Sequence, residues 1–259
     1  MGEDISYALS LSGGGARGMA HIGAIKAFEE KGIEISSVAG ASAGSIVGYF
    51  LAAGLKSSRM IDIARKTNFY SAFKVSFSKT GIVSIGNIRN ILKKEVGIDS
   101  FGGLNIPLHI GVTNLQSGEC DYLNEGNLYD AIVASCSIPL IFNPVEINGN
   151  MYVDGGLSSN LPVKPLLNSK SRIIGINVVG YGKGKKPDSY AQLIDRTIDI
   201  VAWHNTKESL EQCDIQITPV KTNEFGTFEF KKVDELVEVG YKETIRTLEN
   251  VDTMKKKSA

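Results

Sequence analysis

Apolar residues recur along this chain with two different periods, and the alternation between the periods predicts the fold. Short runs that are apolar throughout, or at every second position, occupy residues 7–11, 36–39, 108–113, 151–153, 172–179 and 214–218, and each predicts a strand. In the third run Leu104, Ile106, Leu108, Ile110 and Val112 share one face, with His109 on the other. Helical periodicity fills the intervals. Residues 19–30 place Ile22, Ile25 and Phe28 on one face, with Gly32 positioned as a C-cap. Residues 45–53 and 190–211 also read as helices, and 231–248 as a closing amphipathic helix ahead of a solvated tail at 255–257. Strands alternating with helices predict an α/β fold, a mainly parallel sheet with helices on both faces. Residues 180–186, rich in Gly and Lys, read as an exposed loop rather than a linker, so one domain is expected over residues 1–259.

The candidate chemistry lies where these predicted strands end. Gly40-Ala41-Ser42-Ala43-Gly44 is a G-x-S-x-G pentapeptide between an apolar run and a helix. Small residues on both sides of a serine permit a sharp strand-to-helix turn that lifts its hydroxyl clear of the sheet, which makes Ser42 a candidate nucleophile. The following helix directs its N-terminal amides and dipole toward negative charge beside Ser42. A plain small-residue turn explains the pentapeptide equally well when it stands alone. A second glycine cluster, Ser12-Gly13-Gly14-Gly15-Ala16-Arg17-Gly18, follows the first strand directly and leaves backbone N–H groups open to an oxyanion or phosphate. It also satisfies G-x-G-x-x-G. A dinucleotide site, however, needs an acidic residue at the end of the second strand, where this chain has Gly-Ala-Ser, and Glu34 precedes that strand. A P-loop needs Lys and Ser or Thr where Met19 and Ala20 stand.

A nucleophilic serine needs a base. His21 falls inside the first helix, His109 on the polar face of its strand, and His204 beside Trp203 in the long helix, so all three read as surface or partly packed residues. Only His204 satisfies the order Ser, acid, His of a triad hydrolase. Asp154 is the stronger candidate. Asn148-Gly149 signals a hairpin whose second arm carries Asp154 to a Gly155-Gly156 loop, where an exposed carboxylate can approach another loop; an ordinary Asx turn is the alternative.

Together, Gly13 to Gly18, Gly40 to Gly44 and Asp154-Gly155-Gly156 resemble the patatin-like phospholipase family in type, order and approximate spacing. The resemblance continues through Ala134-Ser135-Cys136-Ser137-Ile138-Pro139 and Asn160-Leu161-Pro162 and so covers most of the first 180 residues. It implies a three-layer α/β/α fold, Ser42 as nucleophile, Asp154 as its sole partner in a dyad without histidine, and the loop Gly13, Gly14, Gly15, Ala16, Arg17, Gly18 as oxyanion hole. Gly40, Ala41, Ala43 and Gly44 would form the nucleophile elbow. The amides of Gly14 and Gly15 are the expected donors to the oxyanion, and Arg17 is expected to hold the loop rather than contact a head group. The implied activity is that of a serine acyl hydrolase on carboxylic esters of phospholipids or lysophospholipids. An acyltransferase or thioesterase would use the same acyl-serine, and a silent lipid-binding module would keep only the fold.

Composition narrows the partners further. The formal net charge is zero, so no global basic field draws in nucleic acid or an anionic membrane, and any peripheral membrane contact must be local. No apolar run approaches about 18 residues and no basic-then-apolar leader opens the sequence, which predicts neither a transmembrane helix nor a signal peptide and points to a cytoplasmic location. Met1-Gly2-Glu3-Asp4-Ile5-Ser6 fits only the bare myristoylation pattern. Cys120, Cys136 and Cys213 show no C-x-x-C spacing, which fits reduced thiols. No zinc, calcium or other metal motif is present, so neither metal nor cofactor is expected. Residues 68–77 concentrate Phe69, Tyr70, Phe73 and Phe77, rings that either pack on the core or form a lid or acyl-chain wall.

Overall fold

The computed structural model describes residues 6–67, 74–75, 83–84, 87–180 and 186–258. β1 (Tyr7–Leu11) passes through a 3-10 turn at Gly15–Gly18 into α1 (Met19–Lys31), and β2 (Ile35–Ala41) runs into α2 (Ala43–Ala52). α3 (Ser57–Lys66), the two-residue antiparallel pair β3 (Lys74–Val75) and β4 (Val83–Ser84), and α4 (Asn87–Glu95) precede β5 (Leu108–Asn114) and β6 (Cys120–Leu123). There follow α5 (Leu128–Ser135), β7 (Val145–Ile147), β8 (Asn150–Asp154), β9 (Arg172–Ile176), α6 (Tyr190–Glu211), β10 (Ile215–Ile217) and α7 (Val233–Ser258).

The main sheet has the order β10-β9-β1-β2-β5-β8-β7, with β6 also paired to β5. From β10 to β5 the neighbours are parallel, whereas β6, β7 and β8 run antiparallel. The sheet is therefore mixed. Its antiparallel part follows from reversals too tight for a crossover helix, among them Asn148 and Gly149, whose φ angles of 51° and 81° suit a two-residue hairpin. Strand alternation separates two layers. Leu9, Leu11, Val38, Ile110, Val112, Ile174 and Ile176 join the larger core with α1 to α5 and α7; Ala8, Ala39 and Ile173 turn to the other side, against Leu161, Val163, Leu166 and Leu210 of α6.

Two departures from the sequence reading have local causes. The strand expected at 36–39 extends to Ala41, and the helix expected from Ser45 starts at Ala43, so the turn between them is a single residue, Ser42. The strand expected at 172–179 stops at Ile176, because Asn177 Nδ2 donates to Val179 O and Val179 N–H to Asn177 Oδ1, replacing ladder bonds with a local turn.

The register of β5 positions the ends of two other strands. β6 occupies one of its edges from Ile110 to Thr113. The opposite edge is divided: β2 pairs with it as far as Gly111, opposite Ala41, and β8 takes over at Val112, opposite Asp154. Because β2 is parallel and β8 antiparallel to β5, their carboxyl ends point at one another across consecutive rungs, about 3.3 Å apart. On the other flank, β1 lies between β2 and β9, so its carboxyl end sits where the sheet changes direction of growth, the position at which open α/β sheets leave a crevice.

Helix α7 lies against α1 through a glycine contact. A Cβ on Gly240 would be driven into the carbonyl of Ala20, and one on Gly23 into that of Val237. Helix propensity alone favours Gly240→Ala by about 1 kcal/mol. The contact reverses that sign: the substitution is expected to destabilise the protein by roughly 1–3 kcal/mol, seen as a lowered urea midpoint.

Candidate active site

Ser42 turns the chain from β2 into α2 at φ 49° and ψ −123°, a conformation that costs a non-glycine residue of order 1–3 kcal/mol and persists only where its surroundings hold it. Its N–H donates to Ser135 Oγ at 2.8 Å, and the Ser135 hydroxyl donates to Gly111 O at 2.7 Å, tying the turn to β5. Its carbonyl accepts from the Ser45 N–H at 2.9 Å and the Ser45 hydroxyl at 2.6 Å. The turn must also be lean: a Cβ on Gly44 would strike the carbonyl of Leu11 in the neighbouring strand.

Asp154 closes β8 and is held on both sides. Its N–H donates to Ser137 O at 2.9 Å, and its carbonyl accepts from Thr113 Oγ1 at 2.8 Å. The carboxylate accepts from the Ser42 hydroxyl through Oδ2 and from the Gly156 N–H through Oδ1, both at 2.7 Å. The exposed carboxylate on a flexible loop expected from the sequence is not what forms. Gly155–Leu157 winds into a 3-10 turn, Asn205 of α6 donates to Gly156 O and Leu157 O, and Asp154 is 6% exposed. Burial raises its pKa to about 6, against the opposing pull of the hydrogen bonds from Ser42 and Gly156.

The glycine loop after β1 divides its amides. Gly13 N–H donates to Asn160 O, Ala16 N–H to Thr227 O, and Arg17 N–H to Gly14 O. Among the described residues the amides of Gly14 and Gly15 have no such acceptor, and both residues line the same cavity as Ser42 and Asp154. Gly14 reaches this arrangement at φ 151°, within the region that disfavours a side chain. Arg17 points away from the cavity's centre: buried, it donates through Nε to Phe225 O at 2.8 Å and forms a bidentate pair with Asp199 of α6 at 2.6 and 3.0 Å.

No histidine hydrogen-bonds Ser42 or Asp154 among the described residues. His21, expected as a surface or partly packed residue, is instead fully buried because α1 packs beneath the glycine loop. Its Nε2–H donates to Ser12 O at 2.8 Å, and burial lowers its pKa to about 4, so the ring is neutral. His109 is half-buried and likewise lowered by burial, and His204 is exposed. Phe69, Tyr70, Phe73 and Phe77, expected as core rings or a lid, lie outside the described residues. Within the described residues no cluster of three metal-ligating side chains occurs, and no helix is long and apolar enough to cross a membrane.

The cavity at Ser42 encloses about 270 Å³ beneath α6, with Leu157, Leu193, Ile194, Ile198 and Ala202 among its walls. A buried carboxylate bonded to a strained serine hydroxyl, beside two unengaged amides in an apolar cleft, is equipped to bind and activate a carbonyl group.

The model of the patatin-like phospholipase family matches residues 9–167. The chain belongs to the patatin-like phospholipase family. An uncharacterized NTE family protein of Mycobacterium tuberculosis is 33% identical over 186 residues, covering 70% of this chain and 51% of its own. Lysophospholipase NTE1 of Mycosarcoma maydis is 29% identical over 285 residues, covering 96% of this chain but 15% of its own. The chain thus spans about half the length of the mycobacterial relative and a small part of the fungal one. Among solved structures, VipD of Legionella pneumophila superposes with a TM-score of 0.55 at 15% identity, over 95% of this chain and 67% of its own, a likeness of fold. The matched patatin-like span contains the glycine loop, Ser42 and Asp154, but α6 lies beyond it.

That boundary explains which site residues escape a reading of the sequence. Asp199 and Asn205 sit in a helix with no motif, and nothing local marks them as partners of Arg17 and of the Asp154 turn. Ser135 was within reach, as part of Ala-Ser-Cys-Ser-Ile-Pro, although its hydrogen bond to the Ser42 amide needs the three-dimensional structure.

The raised pKa of Asp154 has a sign that can be checked. Folded, the group titrates near 6 instead of the ordinary aspartate range, so its ionisation costs the native state nothing below about pH 4 and of order 3 kcal/mol once pH has risen past the folded value. Asp154→Asn is expected to raise the melting temperature relative to wild type at pH 8 and to leave it nearly unchanged at pH 4, measured by differential scanning calorimetry.

Proposed function

We propose that this chain is a serine acyl hydrolase that cleaves carboxylic ester bonds of phospholipids or lysophospholipids through an acyl-Ser42 intermediate, as a single domain over residues 1–259. The observation that carries the reading is the 2.7 Å hydrogen bond from the Ser42 hydroxyl to a buried Asp154 at the floor of an apolar cleft. Family membership and the name lysophospholipase on a relative support the substrate class.

In this mechanism Asp154 takes the Ser42 proton as Oγ attacks the ester carbonyl. The new oxyanion meets the Gly14 and Gly15 amides, each worth roughly 3–4 kcal/mol if the usual cost of losing one such donor applies. Collapse breaks the bond to the alcohol, which leaves with the proton from Asp154. Water then repeats the sequence: Asp154 takes its proton, hydroxide adds to the acyl carbonyl, and Ser42 departs reprotonated with release of the fatty acid. An aspartate in water is too weak a base for this task; desolvation that lifts Asp154 to about 6 narrows the gap to the serine hydroxyl. No step calls for a metal ion. The acyl-serine can also be discharged by an alcohol or thiol acceptor, so product analysis separates hydrolysis from transfer. Arg17, buried against Asp199, serves the loop and not the substrate head group. Contact with a membrane surface is local and peripheral, and the location cytoplasmic.

Hydrolysis of a medium-chain chromogenic ester in EDTA tests the reading. Wild type is expected to turn over, folded Ser42→Ala to be inactive, and Asp154→Asn to lose about 10²- to 10⁴-fold in kcat, the ordinary contribution of a general base. Retained turnover in folded Ser42→Ala would sink the proposal. Because the deprotonated carboxylate is the active form, kcat/KM of wild type should rise with pH through an apparent pKa near 6 and then level off.

A further inference from the structure

Among the described residues, two separate cavities border Ser42. The first is the cleft of about 270 Å³ beneath α6. The second, about 100 Å³, extends from Ser42 along α2 into the space framed by α1, α3 and α4, with Ile22, Val47, Phe50, Met60 and Ile63 among its walls. Apart from Ser42 and the thiol of Cys136, its described side chains are hydrocarbon or, at Met19 and Met60, thioether. Gly15 and Ile138 also border both spaces, whereas Asp154 borders only the cleft beneath α6.

An ester carbonyl attached to Ser42 has two arms, the acyl chain and the alcohol, and the two cavities offer one place for each. We infer that the second cavity is the fatty-acyl site and that the cleft beneath α6 receives the alcohol portion; this rests on the hydrolase reading above. Proton transfer decides the direction. The proton that Asp154 takes from Ser42 must pass to the alcohol oxygen as its bond to the acyl carbon breaks, and a donor within hydrogen-bond reach is required for that step. The alcohol therefore lies on the Asp154 side, and the chain is left the side that Asp154 does not reach. Deacylation fits the same assignment, since water enters the space the alcohol vacates and meets the same carboxylate, while the chain keeps its own cavity.

The cavity also has a measure of depth. Ala43, Ile46, Val47 and Phe50 line it at helical spacing along one face of α2, and seven residues at 1.5 Å each put Phe50 about 10 Å beyond the mouth. Met60, Ile63 and Ala64 of α3 also line it. Chain-length preference is thus set by the residues between α2 and α3, and head-group preference by α6.

The test compares kcat/KM for dodecanoyl and butanoyl p-nitrophenyl esters. Ala64→Phe, which fills the cavity, is expected to lower the dodecanoyl-to-butanoyl ratio about tenfold, in keeping with the discrimination hydrophobic pockets achieve. Met60→Ala, which enlarges it, should raise the ratio of hexadecanoyl to dodecanoyl turnover, and it carries the test if circular dichroism shows Ala64→Phe to be unfolded. Leu193→Ala in α6 should shift the preference between lysophosphatidylcholine and a p-nitrophenyl ester of the same chain, with little change in the chain-length ratio. Ratios that follow Leu193→Ala and ignore both cavity variants would overturn the assignment while leaving the hydrolase reading intact. A wild type that hydrolyses no ester would instead remove that reading. Binding of a fluorescent fatty acid to Ser42→Ala, weakened when Ala64→Phe is added, reads the cavity without turnover, and undiminished binding would count against it.

Discussion

The divided edge of β5 is the constraint on which the site depends. β2 and β8 compete for the same row of hydrogen-bonding groups, and neither can extend without displacing the other. Each strand must therefore end where the other begins. Ser42 and Asp154 are the residues at those ends, which is how side chains 112 positions apart reach 2.7 Å without a flexible loop between them. The geometry follows from strand register, the most rigid coordinate a sheet offers, and Ser135 adds a cross-tie from the turn to Gly111 on the very rung where the handover occurs.

The same convergence determines the electrostatics. Both strand ends enter the interior instead of projecting into solvent, so the carboxylate loses water and keeps only the Ser42 hydroxyl and Gly156 amide as donors. Burial outweighs those two hydrogen bonds and leaves Asp154 more basic than an aspartate in water. His21 shows the same effect with opposite sign. Sealed beneath the glycine loop with only a backbone carbonyl to address, it is neutral and structural. Burial thus makes a stronger base of the acidic residue and a weaker one of the basic residue.

Much of this was legible in the sequence because it depends on local chemistry. Small residues around Ser42, consecutive glycines after β1 and Asn148-Gly149 before β8 each specify a turn through their own backbone preferences, and each turn is found where expected. What the sequence concealed depends on contacts between distant segments. The antiparallel pairing of β8 with β5, across the intervening α5 and β7, joins partners that periodicity does not name. The enclosure of Asp154 requires Asn205, and the anchoring of Arg17 requires Asp199, both on a helix whose pattern records only that one side is apolar. An exposed carboxylate was the natural reading of Asp-Gly-Gly because the residues that cover it lie elsewhere in the chain.

The Arg17 to Asp199 pair makes the roof of the cleft and its floor mechanically one body. Arg17 sits within the glycine loop and Asp199 within α6, the guanidinium nearly shut off from water and the carboxylate partly so. Were α6 to swing outward to admit a bulky lipid, it would either strip a buried guanidinium of its counter-charge or drag the loop along, and both moves disturb the amides beside Ser42. A gaping cleft would then be a poorly assembled one. The pair thus ties the position of α6 to the set of the loop amides, so the width of the cleft and the order of its donors are one variable and not two.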